Sequence, residues 1–91
     1  MIFDWDDNKA ASNYRKHHIK FDTASRVFDD VHAVEIFDGI YDGEERSKII
    51  GDVGGTLIVA VIFTERGDQT IRLISARKAN EHERQVYYCE K

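Results

Sequence analysis

Between residues 33 and 77 the chain shifts to short runs in which hydrophobic side chains tend to recur at every second position, the spacing that turns one face of a β-strand toward a core. "AVEIFDG" (33–39) alternates weakly, "ERSKIIGDV" (45–53) better and "TIRLISAR" (70–77) clearly, whereas "TLIVAVIFT" (56–64) is apolar on both faces. Turn-forming clusters separate these runs: "DGIYDG" at 38–43, "DVGG" at 52–55 and "ERGD" at 65–68. Connections this short join adjacent antiparallel strands. The expectation is therefore a four-stranded antiparallel meander with 56–64 at its centre, covered on each face.

Helical signals flank the strands. "IFDWDDNKAASNYRKHH" opens with a short extended piece and then reads as a helix, with Asp6 or Asp7 to cap its start and Arg15, Lys16 and His17 to complement its negative end. "KFDTASRVFDD" (20–30) predicts a shorter second helix with Asp22 as its N-cap and Ala24, Val27 and Phe28 on one face. A last helix starts at Asn80, where Glu83 three residues on completes an asparagine version of the capping box. The predicted order of two N-terminal helices, four strands and a C-terminal helix defines an α+β sandwich, one domain over residues 1–91.

Charge narrows the functions open to such a domain. Thirteen Lys and Arg stand against 17 Asp and Glu, a formal net charge of −4. A protein that coats nucleic acid by bulk electrostatics is basic, so that role is disfavoured, as is a DNA-binding regulator, for which no helix-turn-helix is visible. The longest apolar run, 57–63, is too short to span a bilayer, and a cytoplasmic protein without a membrane association is expected. Cys89 is the single cysteine and has no partner for an internal disulfide.

Most chemistry-bearing groups have bland explanations. Ser75 lacks a nucleophile elbow, and neither it nor Cys89 has a histidine fixed beside it in sequence. His17 and His18 point about 100° apart on a helix and cannot easily share an ion, and no His-x-x-x-His pair or phosphate-binding glycine loop is present. Neither a metal nor a cofactor is expected. Paired acids at 6–7 and 29–30 suit helix termini. Glu45 and Arg46, adjacent in a strand, face opposite ways, so at most one of them shares a face with any site.

The arginines carry more information. In a regular strand Arg72 lies on one face and Ser75 and Arg77 on the other. Buried guanidinium keeps its charge and needs partners. Arg77 can pair with Glu81 or Glu83 as the strand ends, or can join Arg72 and Arg46 in lining a sheet face that binds phosphate, whose geometry matches the guanidinium fork.

Three stretches, "FDWDDNKAASNYRKHHIKFDTASRVFDD", "GEERSKIIG" and "IRLISARKANEHERQVYY", together resemble the BrnT family of type II toxins. That family shows W-D-x-x-K-x-x-x-N-x-x-K-H-G, then F-x-x-A-x-x-V-F-x-D, G-E-x-R and R-x-I-S-A-R-x-A-x-x-x-E-R-x-x-Y. The match runs in order from Phe3 to Tyr87. Positions carried over are Trp5, Lys9, Asn13, Lys16 and His17, then Glu45 and Arg46, then Arg72, Ser75, Arg77, Glu83, Arg84 and Tyr87. His18 stands where the family has glycine, so a helix-ending residue that tolerates positive φ is lost.

The resemblance implies a RelE-like ribonuclease fold, toxicity to the host, and a BrnA-like ribbon-helix-helix antitoxin. It further implies a toxin–antitoxin heterotetramer that reaches operator DNA only through the antitoxin. RNA carries its own nucleophile, the 2′-hydroxyl, so cleavage needs a base, an acid and positive charge for the phosphorane, and no metal. Arg46 and Arg77 are assigned to the scissile phosphate, with Arg72 and Lys16 as further substrate contacts. Glu45 or His17 is the candidate base, and Tyr87 stacks a base or packs the helix. The competing class is a non-catalytic interaction module whose arginine face binds an acidic protein segment.

Overall fold

The computed structural model describes residues 1–67 and 69–89; Asp68, the last residue of the expected 65–68 turn, lies outside the described residues. Strand β1 (Ile2–Asp4) leads into helix α1 (Asp7–His17) and a single α-turn, α2 (Phe21–Ala24), that tightens into a 3-10 helix (Ser25–Asp29). Strands β2 (Val34–Tyr41), β3 (Glu44–Asp52), β4 (Ile58–Glu65) and β5 (Thr70–Lys78) then form the expected meander, and α3 (Glu81–Cys89) follows. No helix among the described residues is long and apolar enough to cross a membrane.

The sheet corrects the sequence expectation in one respect. Its order is β1-β5-β4-β3-β2, and β1 pairs with β5 in parallel, so it is five-stranded and mixed, not four-stranded and antiparallel. The short opening piece qualifies as a strand because Phe3 seats against Phe28, ring centroids 5.2 Å apart. That contact sets its backbone beside Thr70–Arg72. Beyond Arg72 the outer edge of β5 pairs with no strand among the described residues. Asn13, buried in α1, takes the place of one: its amide oxygen accepts from the Ala76 N–H (3.0 Å) and its nitrogen donates to the Ala76 carbonyl (2.9 Å). A second N–H reaches the Ile19 carbonyl at 3.2 Å. An edge that would otherwise leave buried backbone groups unpaired is closed by one side chain.

Two cores sandwich the sheet. On one face Val59, Val61, Phe63, Ile71, Leu73 and Ala76 meet Ile19, Phe21, Ala24 and Val27. On the other, Ile50, Ile58 and Ala60 meet Ala79 and Tyr87 of the α3 segment. β4 is buried on both faces, as its doubly apolar sequence predicts. Gly51 marks the closest approach of β3 to the 3-10 helix: a Cβ there would stand 2.7 Å from Val27 Cγ2.

The helix termini agree with the sequence in two places and depart in one. Asp6 caps α1, accepting from Asn8 and Lys9 N–H at 2.7 and 3.2 Å. Asn80 and Glu83 form the reciprocal capping box at 2.8 and 3.0 Å. Asp22 is not the cap of α2; Lys20 holds that position with no side-chain hydrogen bond. The Ser25 hydroxyl donates to the Asp22 carbonyl at 2.7 Å, competing with the α-helical ladder where the 3-10 turn begins.

His18 ends α1 in the left-handed region, φ 60° and ψ 29°, with its N–H on the Tyr14 carbonyl at 2.8 Å. A residue with a Cβ is strained there by roughly 1–2 kcal/mol, which glycine avoids. His18→Gly is therefore expected to stabilise the chain by about 1 kcal/mol, raising the melting temperature by roughly 4–8 °C. A melting temperature that falls on this substitution would show that His18 makes a compensating contact, the edge-on ring pair with Tyr14 at 5.9 Å being the one available.

Candidate functional site

In β5 the register against β4 shifts at one point: Leu73 pairs with Phe63, but Ser75 pairs with Ile62, leaving Ile74 as an extra residue. This β-bulge reverses the alternation downstream of it. Arg72 lies opposite Thr64 and Arg77 opposite Ala60, four residues apart on one unbroken strand and hence on one face. The expectation that Arg72 and Arg77 face opposite ways fails for this reason. Arg72, Ser75 and Arg77 share the face that carries α3.

The same face of β3 presents Arg46 and Lys48, because Lys48 pairs with Ile62 and Ile50 with Ala60. Arg46 sits one residue beyond the Ser47–Phe63 pair, so it and Arg72 flank Thr64. Arg77 lies about 13 Å further along, four residues at roughly 3.3 Å each. α3 covers the Ile50–Ala60 end of this face; at the other end Arg46 and Arg72 are half-buried, with Thr64 buried between them. Lys48 escaped notice in the sequence, although period two from Arg46 was signal enough.

The cations differ in how far they are neutralised. Arg77 makes a bidentate pair with Glu83, 2.6 and 2.8 Å, and Lys48 reaches the same carboxylate at 2.8 Å. Glu83 is 2% exposed. The Arg77 guanidinium, helped by Lys48 and the Asn80 N–H, outweighs burial and holds the Glu83 carboxyl down to about 2. Glu83 in turn raises the Arg77 pKa against the opposing effect of burial. Arg77 thus braces α3 against the sheet, the alternative left open from sequence. Arg72 makes a looser pair with Asp4 at 3.4 Å. Arg46 has no ion pair among the described residues; its guanidinium lies 4.8 Å from the centroid of the Tyr41 ring, and its buried Nε finds no hydrogen-bond partner.

Lys16 and His17 stand at the rim of this face. With Lys9, Ser12 and Asn13 they line one side of a groove of about 190 Å³ whose other side is Ile74 and Ser75. The bulge and the Asn13 plug therefore bring the end of α1 to the arginine-bearing strand.

Two predicted residues lie elsewhere. Glu45 pairs with Ile40 on the opposite face from Arg46 and borders an acidic hollow with Gly43, Glu44, Ser47, Thr64 and Glu65. The structure does not bring it to the arginines. Counting strictly, the glutamate of the Gly-Glu-x-Arg pattern is Glu44, which does share the Arg46 face and pairs with Arg66 at 2.8 Å. Tyr87 is 3% exposed between α3 and the sheet, and its hydroxyl donates to Asp30 at 2.6 Å. Burial first, and the Asp30 acceptor second, push its pKa up. Burial alone would raise the Asp30 carboxyl, but the Tyr87 hydroxyl and the N–H groups of Asp52 and His32 bring it below the ordinary carboxylate range.

A small α+β fold that gathers arginine and lysine on a half-open sheet face, in a chain that is acidic as a whole, defines a domain suited to holding a phosphate-bearing polyanion. The sequence profile of the family described as "Ribonuclease toxin, BrnT, of type II toxin-antitoxin system" matches residues 5–83. The chain belongs to that family of ribonuclease toxins. It is also similar to the Brucella abortus ribonuclease toxin BrnT, known from a 1.1 Å crystal structure. The two are 26% identical over 89% of this chain and 100% of that one, with a TM-score of 0.67. No curated protein matches the chain.

Proposed function

We propose that the chain is a metal-independent, RelE-like endoribonuclease that cleaves RNA at the Arg46–Thr64–Arg72 end of the α3-bearing sheet face, and that it thereby inhibits translation and growth. The observation that carries this reading is Arg46: a guanidinium without an ion pair among the described residues, its Nε buried and unsatisfied, beside a second arginine on the same half-buried sheet face. Leaving the guanidinium without an anion costs stability in the free protein, and in this reading phosphate oxygens supply that anion at its terminal nitrogens.

The 2′-hydroxyl attacks the adjacent phosphorus and gives up its proton. The bond from phosphorus to the 5′-oxygen breaks, and that oxygen takes a proton as it leaves. Products are a 2′,3′-cyclic phosphate and a 5′-hydroxyl. Arg46 and Arg72 stabilise the charge that develops on the phosphorane oxygens. His17 is the proton-transfer group, since an imidazole can both take and give a proton and His17 lies at the rim beside Ser75. Lys16 holds a flanking phosphate from the same groove. Arg77 seats α3 and contributes field, not a direct contact, because Glu83 already occupies its fork. Glu45 is left out of the chemistry by its position, and Tyr87 serves by packing α3.

The partner in this reading is a ribbon-helix-helix antitoxin that covers the arginine face, assembles with the toxin as a heterotetramer in the cytoplasm, and supplies all contact with operator DNA. The purified chain is expected to cut RNA in EDTA and to leave cyclic-phosphate and 5′-hydroxyl ends. Cleavage that EDTA abolishes and a divalent ion restores would overturn the mechanism. Failure of the folded chain to cut RNA or arrest growth would instead favour a non-catalytic module that binds acidic segments.

A further inference from the structure

Arg46 has one neighbour that neither the motifs nor the mechanism above uses. Tyr41 lies across from Glu44 in the β2–β3 ladder, two residues beyond Gly39, which itself pairs with Arg46. β2 carries its own bulge here: Phe37 pairs with Ser47 and Gly39 with Arg46, so Asp38 is extra. Gly39 follows with φ at +142°, a conformation that side-chain-bearing residues rarely adopt. The space its missing side chain leaves is filled by Tyr41. A Cβ on Gly39 would stand 3.2 Å from Tyr41 Cε2 and 3.4 Å from its hydroxyl oxygen. The ring is therefore folded back along its own strand over Gly39, on the Arg46 side, and the Arg46 guanidinium lies 4.8 Å from its centroid.

We propose that Tyr41 is a positioning residue for the ribonuclease reaction: its ring, laid over Gly39 on the edge strand, holds the Arg46 guanidinium in the place where it meets the scissile phosphate. The inference rests on the reading of Arg46 given above. A long arginine side chain with no ion pair samples many rotamers, and each one frozen on substrate binding weakens transition-state stabilisation. An aromatic face restrains the guanidinium without neutralising it. A carboxylate in the same place would restrain it too, but would cancel the charge the phosphorane needs, as Glu83 does for Arg77. Tyr41 is 46% exposed, so its ring serves the site more than the core.

The test is cleavage of a defined RNA oligonucleotide by the purified chain, comparing wild type with Tyr41→Phe, Tyr41→Leu, Arg46→Ala and the Tyr41→Leu/Arg46→Ala double variant. Tyr41→Leu is expected to lower kcat about tenfold with KM nearly unchanged and the same melting temperature, while Tyr41→Phe stays near wild type. In the Arg46→Ala background, Tyr41→Leu should cost nothing more, because the two act as one unit. Wild-type turnover by Tyr41→Leu alongside an impaired Arg46→Ala would overturn the inference alone. So would fully additive losses, which would place Tyr41 directly on the RNA, or a Tyr41→Phe defect as large as that of leucine, which would assign the effect to the hydroxyl. Full activity of Arg46→Ala would overturn the reading of the site itself, and this inference with it.

Discussion

Arg46→Ala is expected to lower RNA cleavage by about 10²–10³-fold, the loss that follows when one preorganised charge-stabilising donor is removed from a transition state. Its melting temperature should hold or rise, because the substitution removes a buried Nε that has no partner. Few residues pair a predicted loss of activity with a predicted gain in stability. The combination distinguishes a functional arginine from a structural one, and Arg77 supplies the contrast. Arg77→Ala deprives the buried Glu83 of its bidentate partner, so it should unfold more easily whether or not it cuts RNA. Turnover at a saturating RNA concentration and thermal melts on both variants read out the difference. Cleavage by Arg46→Ala within a few-fold of wild type would remove the phosphate-binding role from this face. Arg72→Ala should fall between them, since Asp4 already offsets part of its charge at 3.4 Å.

The strands, their order along the chain and the capping of α1 and α3 were legible because each rests on local chemistry: period two, glycine-rich turns, and side chains that reach two or three residues. What the sequence hid were relations between distant residues. A bulge at Ile74 inserts one unpaired position, and no residue in "RLISAR" announces it. Reading period two straight through it sent Arg72 and Arg77 to opposite faces and concealed the one surface where Arg46, Lys48, Arg72 and Arg77 meet. The parallel pairing of β1 was equally hidden, since three residues with a single inward side chain, Phe3, carry almost no periodic signal.

Several residues that suggested a site turn out to hold the frame around it. Asn13 closes the edge of β5 at Ala76, Tyr87 reaches Asp30 across 57 positions of sequence, and Arg77 clasps Glu83. In each pair both members belong to the stretches that resemble the BrnT toxins. Polar residues far apart in the chain can look catalytic when their partners are unknown; burial and a matched hydrogen bond identify them as structural. Arg46 is the exception that remains after this sorting: among the described residues it has the Tyr41 ring beside it and no ion pair.

Glu83→Gln should be the most destabilising single change among the polar residues of the sheet face. Glu83 is nearly inaccessible and accepts from Arg77, Lys48 and the Asn80 N–H together. Glutamine keeps the shape but leaves two cations without a counter-charge, a loss of about 3–5 kcal/mol when a buried pair is broken. For a chain of this size that lowers the melting temperature by well over 10 °C. The pH dependence has a definite sign. The folded Glu83 carboxyl titrates at about 2 against an ordinary value of 4.5, so the stability it contributes is complete above 4.5 and is lost as pH falls toward 2. The total is about 3 kcal/mol, at 1.4 kcal/mol for each unit of separation. Asp6 and Asp30 are also held low and fail in the same direction, so wild type and variant must be compared. Urea midpoints taken from pH 6 to pH 2.5 should converge as acid neutralises Glu83 in the wild type, while the gap between the two stays constant above pH 5. Parallel curves across the whole range would mean that Glu83 contributes no charge to holding α3 on the sheet. The bracing of the arginine face would then have to come from Tyr87 and its bond to Asp30 alone.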